Sequence, residues 1–299
     1  MIRTVCAICK NNKKVKKLFP ATFKGEELQG HIYSARRFPD NIHYQIVRCE
    51  RCGLIFSSPV LPREMITSFY RESACNYNDQ IRYLVKTYMG LFEQAEKFLP
   101  KNPKVLEIGC GNGFFLQALW KRGIRNVAGV EPSPKMVQEA PKQIKKSIIQ
   151  DIFKSRQFKK DTFDFVACFH TLDHMLDPNN AILEIHRILK PGGAALIVVH
   201  DTDGLSVKFF GEKSPIFDIE HIFLFNKKTL SRIFEKHGFE TKDISGVKNT
   251  YPFCYWWRMS GIPKILKITG LWVLELTRMG NIELTLAGGN ISILARKGS

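Results

Sequence analysis

Apolar residues recur at three- and four-residue steps through Leu84, Tyr88, Leu91, Phe92, Ala95 and Phe98, which predicts helix across residues 61–99. Pro100 and Pro103 close that stretch. The pattern then changes. "KVLEIGCGNGFFLQAL" is an apolar run that breaks into a glycine turn and resumes with helical spacing. Short apolar runs follow at 126–131, 146–150, 163–169 and 194–200, separated by helical or turn segments. Such alternation predicts an α/β fold with a parallel sheet covered on both faces. "ILKPGG" (188–193) predicts a sharp turn before the fifth strand. "NKKTLSRIFEKHGF" predicts a helix capped by Asn226, with Leu230, Ile233 and Phe234 on one face and Gly238 at its stop. "NISILARK" (290–297) predicts a returning edge strand.

The chain has 299 residues, long enough for one large or two modest domains. Its 44% hydrophobic and 24% charged residues are ordinary for a globular protein, but a formal charge of +17 is not. That excess suits a nucleic acid, an anionic membrane surface or a phosphorylated small molecule. No apolar run of about 18 residues or signal-like segment appears, so the expectation is a cytoplasmic protein.

Four of the eight cysteines form two Cys-x2-Cys pairs, Cys6/Cys9 and Cys49/Cys52. In a reducing compartment, two such turns predict a closed tetrahedral, structural Zn²⁺ site with no open position for catalysis. Residues 43–49 alternate like a strand feeding the second pair.

The turn "EIGCGNG" spaces Gly109, Gly111 and Gly113 alternately, unlike the G-x-G-x-x-G of dinucleotide sites, and suits a nucleoside cofactor without a pyrophosphate. Glu131 ends the next strand, where a carboxylate can accept both ribose hydroxyls. Asp151 follows the third, where one can accept from an adenine amino group. These motifs, with "FDFVACFHTLDHMLDP" and "LKPGG", resemble in order those of class I S-adenosylmethionine-dependent methyltransferases over roughly residues 103–245. The resemblance implies a doubly wound, mostly parallel Rossmann-like sheet. It places Gly109, Gly111 and Gly113 along the methionine and ribose, Glu131 on the ribose and Asp151 facing the adenine. It also implies that Glu107 supports the methionine amino group, although a strand-end carboxylate could equally cap the following helix. The expected division is a zinc-ribbon-like module at 1–60, a helical connector at 61–102, and the methyltransferase domain at 103–299 with an aromatic and basic insert at about 250–285.

A sulfonium methyl donor is already activated, so the protein must position the acceptor and remove a proton. Candidates outside the strand ends are His170, Asp173 and His174 after the fourth strand, His200 and Asp201 after the fifth, and Glu220 with His221 beyond. His170 reads as a floor beneath the cofactor sulfur, His200 as the end of a buried strand, and His174 as a cofactor-flanking or catalytic residue. His170, Asp173, His174, His200 and Asp201 together could instead bind a divalent metal, with less support because they lack a recognisable ligand spacing. Glu220 and His221 would be two polar groups in the apolar run "DIEHIFLFN"; burying both without partners costs several kcal/mol, which favours a polar pocket. The four-cysteine module joined to this domain resembles sugar C-methyltransferases and relatives from polysaccharide pathways. Those carry Tyr-x-Glu-His in the corresponding loop, with the histidine as proposed base. Glu220 and His221 match the last two positions, while Asp218 stands in place of the tyrosine. The expectation is therefore methyl transfer to a sugar nucleotide or polysaccharide intermediate, on carbon or oxygen, with His221 as base and Glu220 orienting it.

Lysines at 10–18 and "ARR" at 35–37 form a basic surface suited to a diphosphate or, as the competing expectation, to RNA. A non-catalytic binding protein that keeps the cofactor fold is a further alternative. The segment 251–280 mixes Trp256, Trp257 and Trp272 with Arg258, Lys264 and Lys267. It reads first as a lid or dimer surface and second as a peripheral contact with membrane or lipid-linked substrate.

Overall fold

The computed structural model describes residues 1–11, 13–23, 33, 40–73 and 78–298. "ARR" at 35–37 lies outside them. In chain order the strands are β1 (Val15–Phe19), β2 (Ile46–Cys49), β3 (Ile55–Ser57), β4 (Val105–Ile108), β5 (Val127–Val130), β6 (Ile148–Ile149), β7 (Phe163–Phe169), β8 (Leu189–His200), β9 (Phe223–Leu224), β10 (Phe239–Gly246), β11 (Asn249–Pro252), β12 (Glu283–Leu286) and β13 (Asn290–Lys297). The helices are α1 (Arg63–Glu72), α2 (Ile81–Glu96), α3 (Phe114–Lys121), α4 (Pro134–Glu139), α5 (Lys142–Lys145), α6 (Pro178–Ile188), α7 (Leu205–Phe210), α8 (Lys227–Lys236), α9 (Phe253–Met259) and α10 (Lys264–Leu276).

Seven strands form the main sheet in the order β10-β13-β8-β7-β4-β5-β6, with β13 antiparallel to both neighbours and the other pairs parallel. β4 is buried at every position and β7 at all but one, as expected of strands covered on both faces. From β4 the chain winds outward through β5 and β6, then returns to β7 on the other side. That reversal opens a crevice beyond the carboxyl ends of β4 and β7, where doubly wound sheets bind ligands.

Two local expectations change. β13 is interior, because Ile291, Ile293, Leu294 and Ala295 are buried between β10 and β8; β10 is the edge. The 188–193 turn is the irregular start of β8: pairing with β7 jumps from Phe163↔Leu189 to Phe165↔Ala194. The α8 start is as expected. Asn226 Oδ1 accepts from Thr229 N, and Thr229 Oγ1 accepts from Asn226 N, each at 2.9 Å, so each residue satisfies an amide of the other.

The smaller sheet runs β1-β2-β3-β9. Its last strand comes from the distant segment 223–224, paired antiparallel to β3. Ser57 N donates to Ile222 O (2.8 Å) and Ser57 Oγ to His221 O (2.9 Å), while Asn179 Nδ2 donates to Ala7 O (2.8 Å). The cysteine-bearing residues are thus bonded to the loop that carries Glu220 and His221. The 250–285 insert is a two-stranded ribbon, β11 with β12, bracketing α9 and α10.

Candidate active site

A cavity of about 300 Å³ lies beyond β4 and β7. One wall is the glycine turn, with Glu107, Gly109, Cys110, Gly111 and Glu131; another carries Tyr70, His170, Thr171, His174 and Glu220. Aromatic and apolar groups, among them Tyr88, Phe114, Phe153 and Phe169, fill in between. Tyr88 stacks on Phe169 with ring centroids 4.0 Å apart.

The turn folds as it does because Gly109 has φ +71 and its Cα faces Thr171; a Cβ there would stand 2.2 Å from Thr171 Oγ1. Glu131, 7% exposed, ties the turn to the end of β5: Gly111 N donates to Oε2 and Ser133 N to Oε1, both at 2.9 Å. Burial raises its carboxyl pKa, and those two amides oppose the rise. Glu107 is also buried, and its Oε2 has no hydrogen-bond partner among the described residues. Burial, and then the charge of Glu131, push its pKa well above the usual carboxylate range. A cationic donor in the cavity would satisfy that oxygen.

Two further residues expected on the cofactor are not among the cavity-lining residues and have partners within the chain. Gly113 starts α3 at φ +72, and a Cβ there would come within 2.9 Å of Ile144 Cγ2; it serves helix packing. Asp151 accepts from Ile152 N (2.8 Å) and Lys154 Nζ, while Ile152 and Phe153 make the cavity wall.

The proton-handling groups converge on Asp173, which is fully buried. His200 donates from Nδ1 to Asp173 Oδ2 at 2.7 Å, and His174 Nε2 lies 3.8 Å from Oδ1. Burial alone would raise the Asp173 pKa. The His200 hydrogen bond and the charges of His174, His200 and His221 outweigh it and hold the carboxyl well below its usual range. His174 Nδ1 meets the Tyr70 hydroxyl at 3.0 Å, and both residues line the cavity. His170 lines it too, with its ring 4.8 Å from that of His200.

His221 lies one ring further in. It is 7% exposed, packs against His174 (centroids 5.0 Å) and His200 (4.1 Å), and is not among the cavity-lining residues. Its Nδ1 donates to Ile216 O at 2.7 Å, which leaves Nε2 as the unprotonated nitrogen. Burial first, then His200, lower its pKa to about 4, against the pull of Asp173 and Asp218. Glu220, by contrast, reaches the cavity wall.

Tyr70 is the residue that sequence reasoning missed. It lies on α1, in a stretch whose periodicity spoke only of packing.

The four cysteines meet at one point, with Sγ separations of 3.3 Å (Cys6–Cys52), 3.5 Å (Cys9–Cys49), 3.6 Å (Cys6–Cys9) and 3.8 Å (Cys9–Cys52). Tetrahedral Zn–S bonds of about 2.3 Å imply sulfurs about 3.8 Å apart, so the donor set fits with slight expansion. Burial opposes ionisation of Cys49, but the Asn11 amide and the backbone N–H groups of Cys52 and Arg51 prevail and lower its pKa to about 6.

Residues 77–243 match the family described as methyltransferase domain; the chain belongs to that family. Among curated relatives, a ubiquinone biosynthesis O-methyltransferase from Pseudomonas aeruginosa is 33% identical over 105 residues, 31% of this chain and 43% of that protein. A chloroplastic 2-methyl-6-phytyl-1,4-hydroquinone methyltransferase 1 from Oryza sativa is 28% identical over 150 residues, 48% of this chain and 43% of that protein. The chain spans less than half the length of these relatives. A solved Bacillus halodurans protein named as a methyltransferase superposes with a TM-score of 0.51 at 20% identity, covering 72% of this chain and all of that one. This likeness is one of fold.

Proposed function

We propose that this protein transfers a methyl group from S-adenosylmethionine to a small-molecule acceptor, with His174 receiving the acceptor's proton. The observation that carries the reading is a single cavity that runs from the Glu131-tied glycine turn to the Tyr70–His174–Asp173 group. Gly109, Gly111, Glu131 and Glu107 would hold the cofactor, whose methionine amino group suits the unpartnered Glu107 oxygen. When bound, the cofactor supplies an electrophilic methyl group. The chain's own work is to orient the acceptor, through Glu220 and the aromatic wall, and to hold the proton. His174 suits that task better than His221, because it lines the cavity and has the Asp173 carboxylate beside it to stabilise the cation formed. A zinc ion on Cys6, Cys9, Cys49 and Cys52 would be structural.

For the acceptor, the four-cysteine module and the Glu220–His221 loop favour a hydroxyl-bearing nucleotide-linked sugar or polysaccharide intermediate. The names of the relatives, with the aromatic wall, favour a phenolic hydroxyl as the second reading. Incubating the protein with methyl-labelled S-adenosylmethionine and separate nucleotide-sugar, quinol and RNA pools distinguishes them. Label in RNA, or in no pool, would overturn the small-molecule reading.

A further inference from the structure

α10 is docked by one side only. Its Gly270 lies under the Trp257 indole, where a Cβ would come within 2.4 Å of the ring, and Leu274 is buried beside it. At 100° per residue, Ile265, Ile268, Trp272 and Leu276 fall on the opposite side. They are 76%, 59%, 63% and 70% exposed. An apolar stripe of this kind marks an interaction surface.

We propose that this stripe docks the protein on an anionic lipid surface, with α10 lying in the plane of the headgroups. Three observations select this occupant. The helix has 13 residues, too few to cross a bilayer, so a lipid contact would be made along its length at the surface. Around it, residues 248–286 carry Lys248, Arg258, Lys264, Lys267 and Arg278 against Glu275 and Glu283, within a chain of formal charge +17. That charge attracts an anionic surface and repels a second copy of the same chain. Trp272 lies mid-stripe, and an indole favours the interface between headgroup and acyl chain. The exposed Phe209 of α7 lies on a neighbouring element, since Phe210 packs against Gly261 just before α10.

The insert that carries the stripe also packs on the helix that walls the cavity. Tyr251 of β11 packs on Tyr83 of α2, with ring centroids 5.6 Å apart, and α2 supplies Leu84 and Tyr88 to the cavity wall. The docking inference itself does not depend on methyl transfer.

The test uses the full chain with vesicles of phosphatidylcholine, with and without phosphatidylglycerol. Co-sedimentation is expected only with phosphatidylglycerol and should weaken about tenfold in high salt. Brominated acyl chains should quench tryptophan emission in a way that Trp272→Phe abolishes. Ile265→Ser/Ile268→Ser/Leu276→Ser should lose vesicle binding with an unchanged unfolding midpoint. The quenching arm holds even if that variant misfolds. Absence of binding, equal binding to neutral vesicles, or quenching that survives Trp272→Phe would each overturn the proposal. So would a wild-type dimer that the triple variant turns into monomer, which would assign the stripe to a second copy.

Discussion

His221 shows how far a residue's type and its setting can diverge. Beside Glu220 in an apolar run it has the profile of a base, and the depth at which it sits, behind His174 and outside the cavity lining, is not written in that pattern. Buried neutral, with Nδ1–H committed to Ile216 O, it supports the His174–His200–Asp173 group from behind. The same burial makes it a pH liability. A histidine whose pKa falls from about 6.5 unfolded to about 4 folded contributes stability that is complete above pH 6.5 and lost as pH falls towards 4. Its full loss is about 3 kcal/mol. Thermal unfolding between pH 7.5 and 4.5 should show this decline, and His221→Gln should flatten it. An undiminished slope in that variant would show that the acid sensitivity does not come from His221.

At the scale of elements, the strand–turn–helix around Gly109 was legible because its chemistry is local: a positive-φ glycine, an apolar strand before it and an acidic residue at the next strand end. The surroundings of Gly113 and Asp151 were not legible, for the converse reason. Whether a glycine faces a ligand or Ile144, and whether a carboxylate faces a cavity or Lys154, depends on neighbours remote in sequence. β13 was misread as an edge because eight residues of alternating pattern cannot report that β10 pairs on their far side. Glu131 yields the clearest prediction here. Glu131→Ala removes the acceptors of Gly111 N and Ser133 N together with the carboxylate proposed to hold the ribose. It should weaken S-adenosylmethionine binding by about 1–3 kcal/mol in calorimetry. Asp151→Ala should change it by less. Equal losses would restore Asp151 to the adenine.

On the scale of the whole molecule, the four cysteines were readable from spacing, whereas the attachment of their sheet to residues 221–224 was not, because β9 is two residues long. That attachment means the cysteine site and the cavity are not mechanically separate. If the four cysteines hold a zinc ion as proposed, Cys49→Ser should remove one metal per chain, measured by elemental analysis. It should also lower stability by about 3 kcal/mol, which is roughly 6–12 °C in the unfolding midpoint. Turnover should fall with it, since Ser57 and β3 hold the His221 backbone. A variant that loses the metal but keeps full turnover would show the module to be independent of the site.

The most direct test of the central claim is transfer of label from methyl-labelled S-adenosylmethionine by the wild type and by His174→Asn, with cofactor affinity measured in parallel. The expected result is labelled small-molecule product, reduced about 100-fold or more in the variant at unchanged cofactor affinity. Undiminished turnover in the variant, or label found in RNA, would contradict it.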